Sequence, residues 1–172
     1  FVCAGGTSEA VTVEGAATEG YNTLFVITSG PELTIQGLSA SGAVDFSGYP
    51  AGTYTVHAFN YSLDDEATIL AAVEFGVTTG VDVAGLIADG VICADLDVAG
   101  VQFTVSEPIE IFINPTCDQT VGAVDLEVTV VGGFPDLLNG YTIGGTLFGT
   151  NTAEQGNPFV IPGIADADAY TI

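Results

Sequence analysis

Between Gly52 and Tyr61 the chain reads GTYTVHAFNY. On an extended backbone this puts Tyr54, Val56 and Ala58 on one face and Thr55, His57, Phe59 and Tyr61 on the other. It is the longest of a series of short β-prone runs, each stopped by Gly, Pro, Asn or Ser. Residues 10–13, 21–28, 32–38, 43–46, 101–105 and 109–113 belong to the series, and 21–28, apolar on both faces, reads as a central strand. Pro108 implies a bend or an edge position. Residues 64–75 (DDEATILAAVEF) are the one helix candidate, with Asp64 or Asp65 as cap and acids in the first turn; a bulged β segment is the alternative. Sustained helical periodicity is absent, which excludes a bundle. Short strands with frequent turns predict an all-β fold built of tandem immunoglobulin-like β-sandwiches.

The pattern stops at Asn114-Pro115 and resumes with Val124, Leu126, Val128 and Val130 facing one way and Asp125, Glu127 and Thr129 the other. The expected organisation is therefore a module over 1–114 and a second, incomplete sandwich over 115–172. Weaker strand signals follow at 140–149 and 159–161, and a last one opens at Ala169. A chain ending at Tyr170-Thr171-Ile172, inside a strand signal, reads as a piece of a longer protein. It would leave a sheet edge for further chain or a neighbour to cover.

Composition narrows function more than fold. The 172 residues hold 22 Asp and Glu but no Lys or Arg, a formal charge of −22. Such a chain cannot clamp a phosphate with Arg or Lys, form a Schiff base or supply an arginine finger. It is repelled by nucleic acid and by anionic lipid. Lys-dependent isopeptide cross-links are chemically impossible. Because 48% of residues are apolar and only 13% charged, the chain folds rather than behaving as an acidic tail. No apolar run approaches the roughly 18 residues of a membrane-spanning helix. The start, Phe1-Val2-Cys3, carries no signal peptide, as expected of a mature secreted protein or an excerpt.

Cys3, Cys93 and Cys117 are an odd number. In a secreted protein that suggests one bridge and one thiol whose partner lies elsewhere; in a cytosolic one, three buried thiols. Cys3 with Cys117, Val11-Thr12-Val13 with Val128-Thr129-Val130, and Tyr54 with Tyr170 recur at nearly one offset, a repeat of roughly 115 residues. Within such a repeat Cys3 pairs with Cys93, and Cys117 awaits a partner beyond the chain.

Phe1-Val2-Cys3-Ala4-Gly5-Gly6, GYNTLFVIT (20–28), VDFSGYPAGTYTVHAFNY (44–61) and GVICADLDVAGVQFTV (90–105) together resemble a tandem module of very large secreted surface proteins of Bacteroidota. CDQTVGAVDLEVTVVGGFPD (117–136) is similar to the shorter repeats of gliding-motility adhesins in the same bacteria. It lacks their Pro-Tyr-x-Tyr-x-Trp core and closing Gly-Cys. The resemblance implies export by the type 9 route and display in long fibres or adhesins, and supplies no catalytic residues.

Any Ser/His/Asp or Cys/His device would have to pass through His57, the only histidine, and no Gly-x-Ser-x-Gly elbow accompanies it. A structural histidine is the expectation. Calcium is the candidate cofactor: Asp64-Asp65-Glu66, Asp95-Leu96-Asp97 and Asp166-Ala167-Asp168 bring hard oxygen ligands together, though no EF-hand loop is present. Solvated acidic loops are the plainer account. The expected function is a non-enzymatic structural or adhesive module of an extracellular cell-surface fibre. Its partners would be neighbouring modules, identical subunits, or a cell-surface or glycan target, with no nucleic acid and no membrane insertion. A filament subunit that polymerises by strand exchange is the alternative, and a carbohydrate-binding accessory module a third.

Overall fold

A computed structural model describes residues 2–3, 5–13, 19–117, 123–133, 141–145, 149–155 and 157–165; for 117, 141–145, 149–155 and 162–165 it describes the backbone alone. The chain divides into two compact units, Phe1–Ser106 and Glu107–Ile172. Among the described residues, ten strands in antiparallel ladders dominate over two helices and one 3₁₀ turn. None of the helices there is long and apolar enough to cross a membrane.

The first unit is built on β1 (Tyr21–Ser29), β2 (Thr34–Ser39) and β3 (Gly52–Ser62). β1 is central, paired with β2 on one side and residue for residue with β3 on the other, from Tyr21↔Ser62 to Ser29↔Tyr54. The outer edge of β3 carries two short strands end to end. β4 (Ala94–Leu96) pairs with Phe59–Tyr61, and β5 (Val101–Val105) with Gly52–Val56.

Both faces of this sheet are covered, and strand alternation decides which side chain serves which. Phe25, Ile27, Tyr54, Val56, Phe103 and Val105 pack with Val2, Val44 and Phe46. That cover is an irregular ribbon: Phe46 N–H bonds Gly6, Ser8 N–H bonds Val44 and Val11 N–H bonds Gly42 at 2.8–3.0 Å. Residues 10–13, expected as a strand, are therefore a loop, although 128–130 at the repeat offset lie in a strand. On the opposite face Val26, Ile35, Phe59 and Tyr61 pack with Ile69 of α1 (Glu66–Ala72), Val83 of α2 (Gly80–Ala88) and Ile92. Each such burial is worth about 2 kcal/mol.

Helices thus lie where a sandwich would place a second sheet. The 64–75 expectation resolves into a 3₁₀ turn, Leu63–Asp65, followed by α1. α2 was not anticipated. Its signal is Thr79-Gly80-Val81-Asp82, a capping box in which Thr79 Oγ1 accepts from the Asp82 N–H while Asp82 Oδ2 accepts from the Thr79 N–H. Val83, Leu86 and Ile87 then form the apolar stripe that packs on the sheet.

Both outer flanks of the sheet have cover. Beside β2, the Ile35 N–H donates to Thr78 and the Gly76 N–H to Ile35, and the Gly80 N–H donates to Leu33. Beside β5, Val2 forms a parallel bridge with Val105, its N–H on Thr104 and its carbonyl accepting from Ser106. Edges left bare would be templates for pairing.

In the second unit, β7 (Ala123–Val131) lies between β6 (Glu110–Cys117) and β10 (Phe159–Ala165), and β8 (Tyr141–Gly145) pairs with β9 (Gly149–Gln155). Among its described residues the core is Val128, Val130 and Phe159, flanked by Leu126 and Ile161. Asn114-Pro115, the expected break, sits inside β6, whose register continues through Asn114↔Glu127 to Cys117↔Val124. Proline is accommodated there because β6 is an edge strand, where a missing N–H can face outward. The division between units falls earlier, after Ser106. The terminal strand expected from Ala169 lies outside the described residues.

Candidate functional site

His57 is 1% exposed and both its ring nitrogens are engaged. Nδ1 lies 2.8 Å from the Asp97 carbonyl, and Nε2 lies 2.9 Å from Thr28 Oγ1. A carbonyl only accepts, so Nδ1 carries the hydrogen, and in the neutral ring Nε2 accepts from the threonine hydroxyl. The imidazole therefore joins β1, β3 and the four residues between β4 and β5. Gly100 closes that connection at φ +59, where a Cβ would meet Thr55 Cγ2 at 2.6 Å and His57 Nδ1 at 2.7 Å. His57 borders a small apolar cavity of about 30 Å³, lined also by Leu24, Ile35, Phe59, Ile69 and Val83. With both nitrogens committed to the fold, His57 is positioned as a staple between strands.

Among the described residues the acids named from the sequence are not gathered at one point. Asp65 Oδ2 accepts the Cys93 N–H at 2.7 Å, and Asp97 Oδ1 accepts the Ala99 N–H at 3.1 Å. Asp64 belongs to the 3₁₀ turn and Glu66 opens α1, while Asp95 lies on β4 opposite Asn60. Asp166 and Asp168 lie outside the described residues. Among the described residues no three His, Cys, Asp or Glu side chains are grouped to hold a metal ion. The acid whose ionisation the fold favours is Asp82, held below the usual aspartate range by hydrogen bonds from the Thr79 backbone and then its hydroxyl.

The expected Cys3–Cys93 disulfide is not formed; both cysteines are exposed free thiols. Their separation follows from the register. Cys3 follows Val2, which pairs with Val105, which pairs with Gly52 at the start of β3. The Cys93 carbonyl accepts from Ser62, at the other end of that strand. Nine or ten rises of about 3.3 Å put the thiols roughly 30 Å apart, far beyond the ~7 Å limit between bonded Cα atoms. Cys93 Sγ lies instead 3.5 Å from Tyr21 Oη. The hydrogen bond with Cys93 raises the Tyr21 hydroxyl above its ordinary range, and the charge of Cys93 adds to the effect. The Cys117 side chain is outside the described residues.

The expected open edge near Ile172 lies outside the described residues, and β6 offers another. It is the outermost strand of its sheet, and no described backbone group bonds to its outer side. Residues directly opposite one another in an antiparallel pair share a face. Ile111 and Ile113 therefore belong with Val130 and Val128 on the core face, yet each is 48% exposed while the two valines are buried. On the other face, Glu110, Phe112 and Asn114 lie opposite Val131, Thr129 and Glu127, and Phe112 is 55% exposed. The core face of this unit thus runs out to a half-exposed margin. The signal in the sequence was Ile109-Glu110-Ile111-Phe112-Ile113, apolar on both faces of a strand carrying a proline.

Set against protein-family models, curated proteins and solved structures, the chain matches none of them.

Proposed function

We propose that this chain is a non-enzymatic, load-bearing module of a long extracellular fibre or adhesin. The observation that carries the reading is the parallel bridge between Val2 and Val105. The first unit begins and ends on neighbouring parallel segments, so tension applied through its two ends pulls them in opposite directions along their length. The flanking bonds, Val2 N–H to Thr104 and Ser106 N–H to Val2, are then loaded together in shear rather than one after another. Val2 and Val105 are both buried in the same apolar cluster, which resists the same sliding.

Composition supports exposure outside a cell. Trypsin-like proteases find no Lys or Arg to cut after, and no Met or Trp is present to oxidise. Lateral repulsion between chains of charge −22 would keep neighbouring fibres apart. On this reading the module is akin to the secreted surface repeats of Bacteroidota, its units are immunoglobulin-like, and calcium serves as a screening or bound ion.

Single-molecule extension through the two chain ends tests it. The first unit is expected to open in one discrete event, at a force lowered in Val2→Pro, which deletes the N–H bonded to Thr104. Featureless extension at low force, or an unchanged force in Val2→Pro, overturns the reading. A purified chain that forms regular polymers would favour the filament-subunit alternative.

A further inference from the structure

We propose that the outer edge of β6 accepts an extended segment of a partner protein in which apolar residues alternate with Lys or Arg. The inference concerns the second unit and stands independently of the load-bearing reading. Three observations define the occupant.

Among the described residues no backbone group bonds the outer side of β6, an eight-residue strand long enough for a full ladder. Pro115 has no N–H to contribute to a ladder. Facing it outward spares the bonds to β7 and leaves the outward N–H groups of Ile111 and Ile113 to an incoming strand.

The two faces of the edge then specify what the new strand carries. On the core face it would lie beside Ile111 and Ile113, the half-exposed continuation of the buried Val128–Val130 layer. Only apolar side chains complete that layer. On the opposite face it would meet Glu110 and Phe112, with exposed Glu127 one strand further in. There a cation is favoured by the carboxylates and by the exposed aromatic ring. Successive residues of a strand point to opposite faces, so the two demands combine into one period-two alternation.

Charge also excludes the simplest occupant, a second copy. The chain has no Lys or Arg, so no segment of it can offer the alternation, and two copies would bring together 22 acids each without an offsetting cation. Like charges directly opposed across a new ladder are destabilising.

The test uses the full chain, isotopically labelled, and four synthetic ten-residue peptides: alternating valine and lysine, alternating valine and glutamate, alternating valine and serine, and a scramble of the first. Binding of the valine–lysine peptide is expected, weakening as salt is raised, with the largest amide shifts along Glu110–Thr116. The glutamate peptide should not bind, and the serine and scrambled peptides should bind at least about tenfold more weakly. Ile113→Lys, which places a charge on the open margin of the core face, should lower affinity by about as much. Glu110→Gln should reduce the salt dependence. Equal binding of the scramble would reduce the effect to bulk attraction and overturn the proposal. So would shifts centred away from β6, undiminished binding by Ile113→Lys, or concentration-dependent self-association that blocks the peptide.

Discussion

Asn157 pairs with the backbone of Val130 as though it were one more strand residue. Its Oδ1 accepts the Val130 N–H at 2.9 Å and its Nδ2 donates to the Val130 carbonyl at 2.6 Å. The β10 ladder along β7 begins at Phe159↔Val128, so the amide side chain carries the pairing two residues further. Asn157→Asp keeps the acceptor but loses the donor and sets a carboxylate against the Val130 carbonyl. The expected loss is about 1–3 kcal/mol of stability in the second unit, read by denaturant titration. A loss below experimental error would show that the contact is incidental.

Thr28→Val keeps the shape of the side chain and leaves Nε2 of His57 without its partner beside an apolar cavity. A cost of about 1–3 kcal/mol is expected. Chemical denaturation of the first unit checks it, and an unchanged midpoint would mean that water replaces the hydroxyl.

Gly100→Ala should be more damaging than an ordinary loop substitution. It adds a Cβ at a left-handed backbone position and drives it into Thr55, His57 and the Val56 carbonyl. Left-handed strain and overpacking together cost about 3 kcal/mol. A cost of about 0.5 kcal/mol or less, that of an ordinary surface substitution, would require the connection between β4 and β5 to move away from His57, visible as a changed His57 Nδ1 resonance.

The capping box of α2 makes an acid-dependent prediction. Asp82 is held below its ordinary range, so its contribution is complete above the unfolded aspartate value of about 3.9. It is lost as pH falls through the lower folded value. Amide signals of Thr79 and Asp82 should follow that titration, and Asp82→Asn should abolish it at both positions. Thr79→Ala, which removes the reciprocal cap, should cost the helix about 1 kcal/mol above that titration and less below it, where the carboxylate that accepts from the Thr79 hydroxyl is lost.

The strands with clean alternation were legible in the sequence. β1, β3, β5 and β7 lie where the apolar pattern placed them, because period two states directly which side chain faces which layer. α2 was missed because nine residues containing two glycines give a weak helical period, and only the Thr79–Asp82 box marks its start. Residues 10–13 and 43–46 have strand-like composition but sit in an irregular ribbon, where Ser8 Oγ accepts the Val44 N–H instead of a neighbouring strand. The Cys3–Cys93 pairing failed for a different reason. Spacing along the chain carries no information about which end of β3 each cysteine reaches.

That geometry gives a direct chemical check. Maleimide applied to the native, unreduced chain should label both Cys3 and Cys93. Digestion after acidic residues, the chain having no tryptic sites, should yield no peptide pair linked through them. A linked Cys3–Cys93 pair at full occupancy would require β3 to be dismantled, and would overturn the fold described for the first unit.

The short cover over β2 has a kinetic consequence. Ile35 exchanges two backbone bonds with residues 76–78, and Gly76 is held at φ +79 where a hinge needs little side-chain repacking. Partial openings are set by local contacts rather than by the whole fold. Lifting this segment alone would bare a strand while the rest of the sheet stayed intact. The shelf life of the protein in concentrated solution would then track how often one loop detaches, and a mutation in that loop could shorten it without moving the melting temperature.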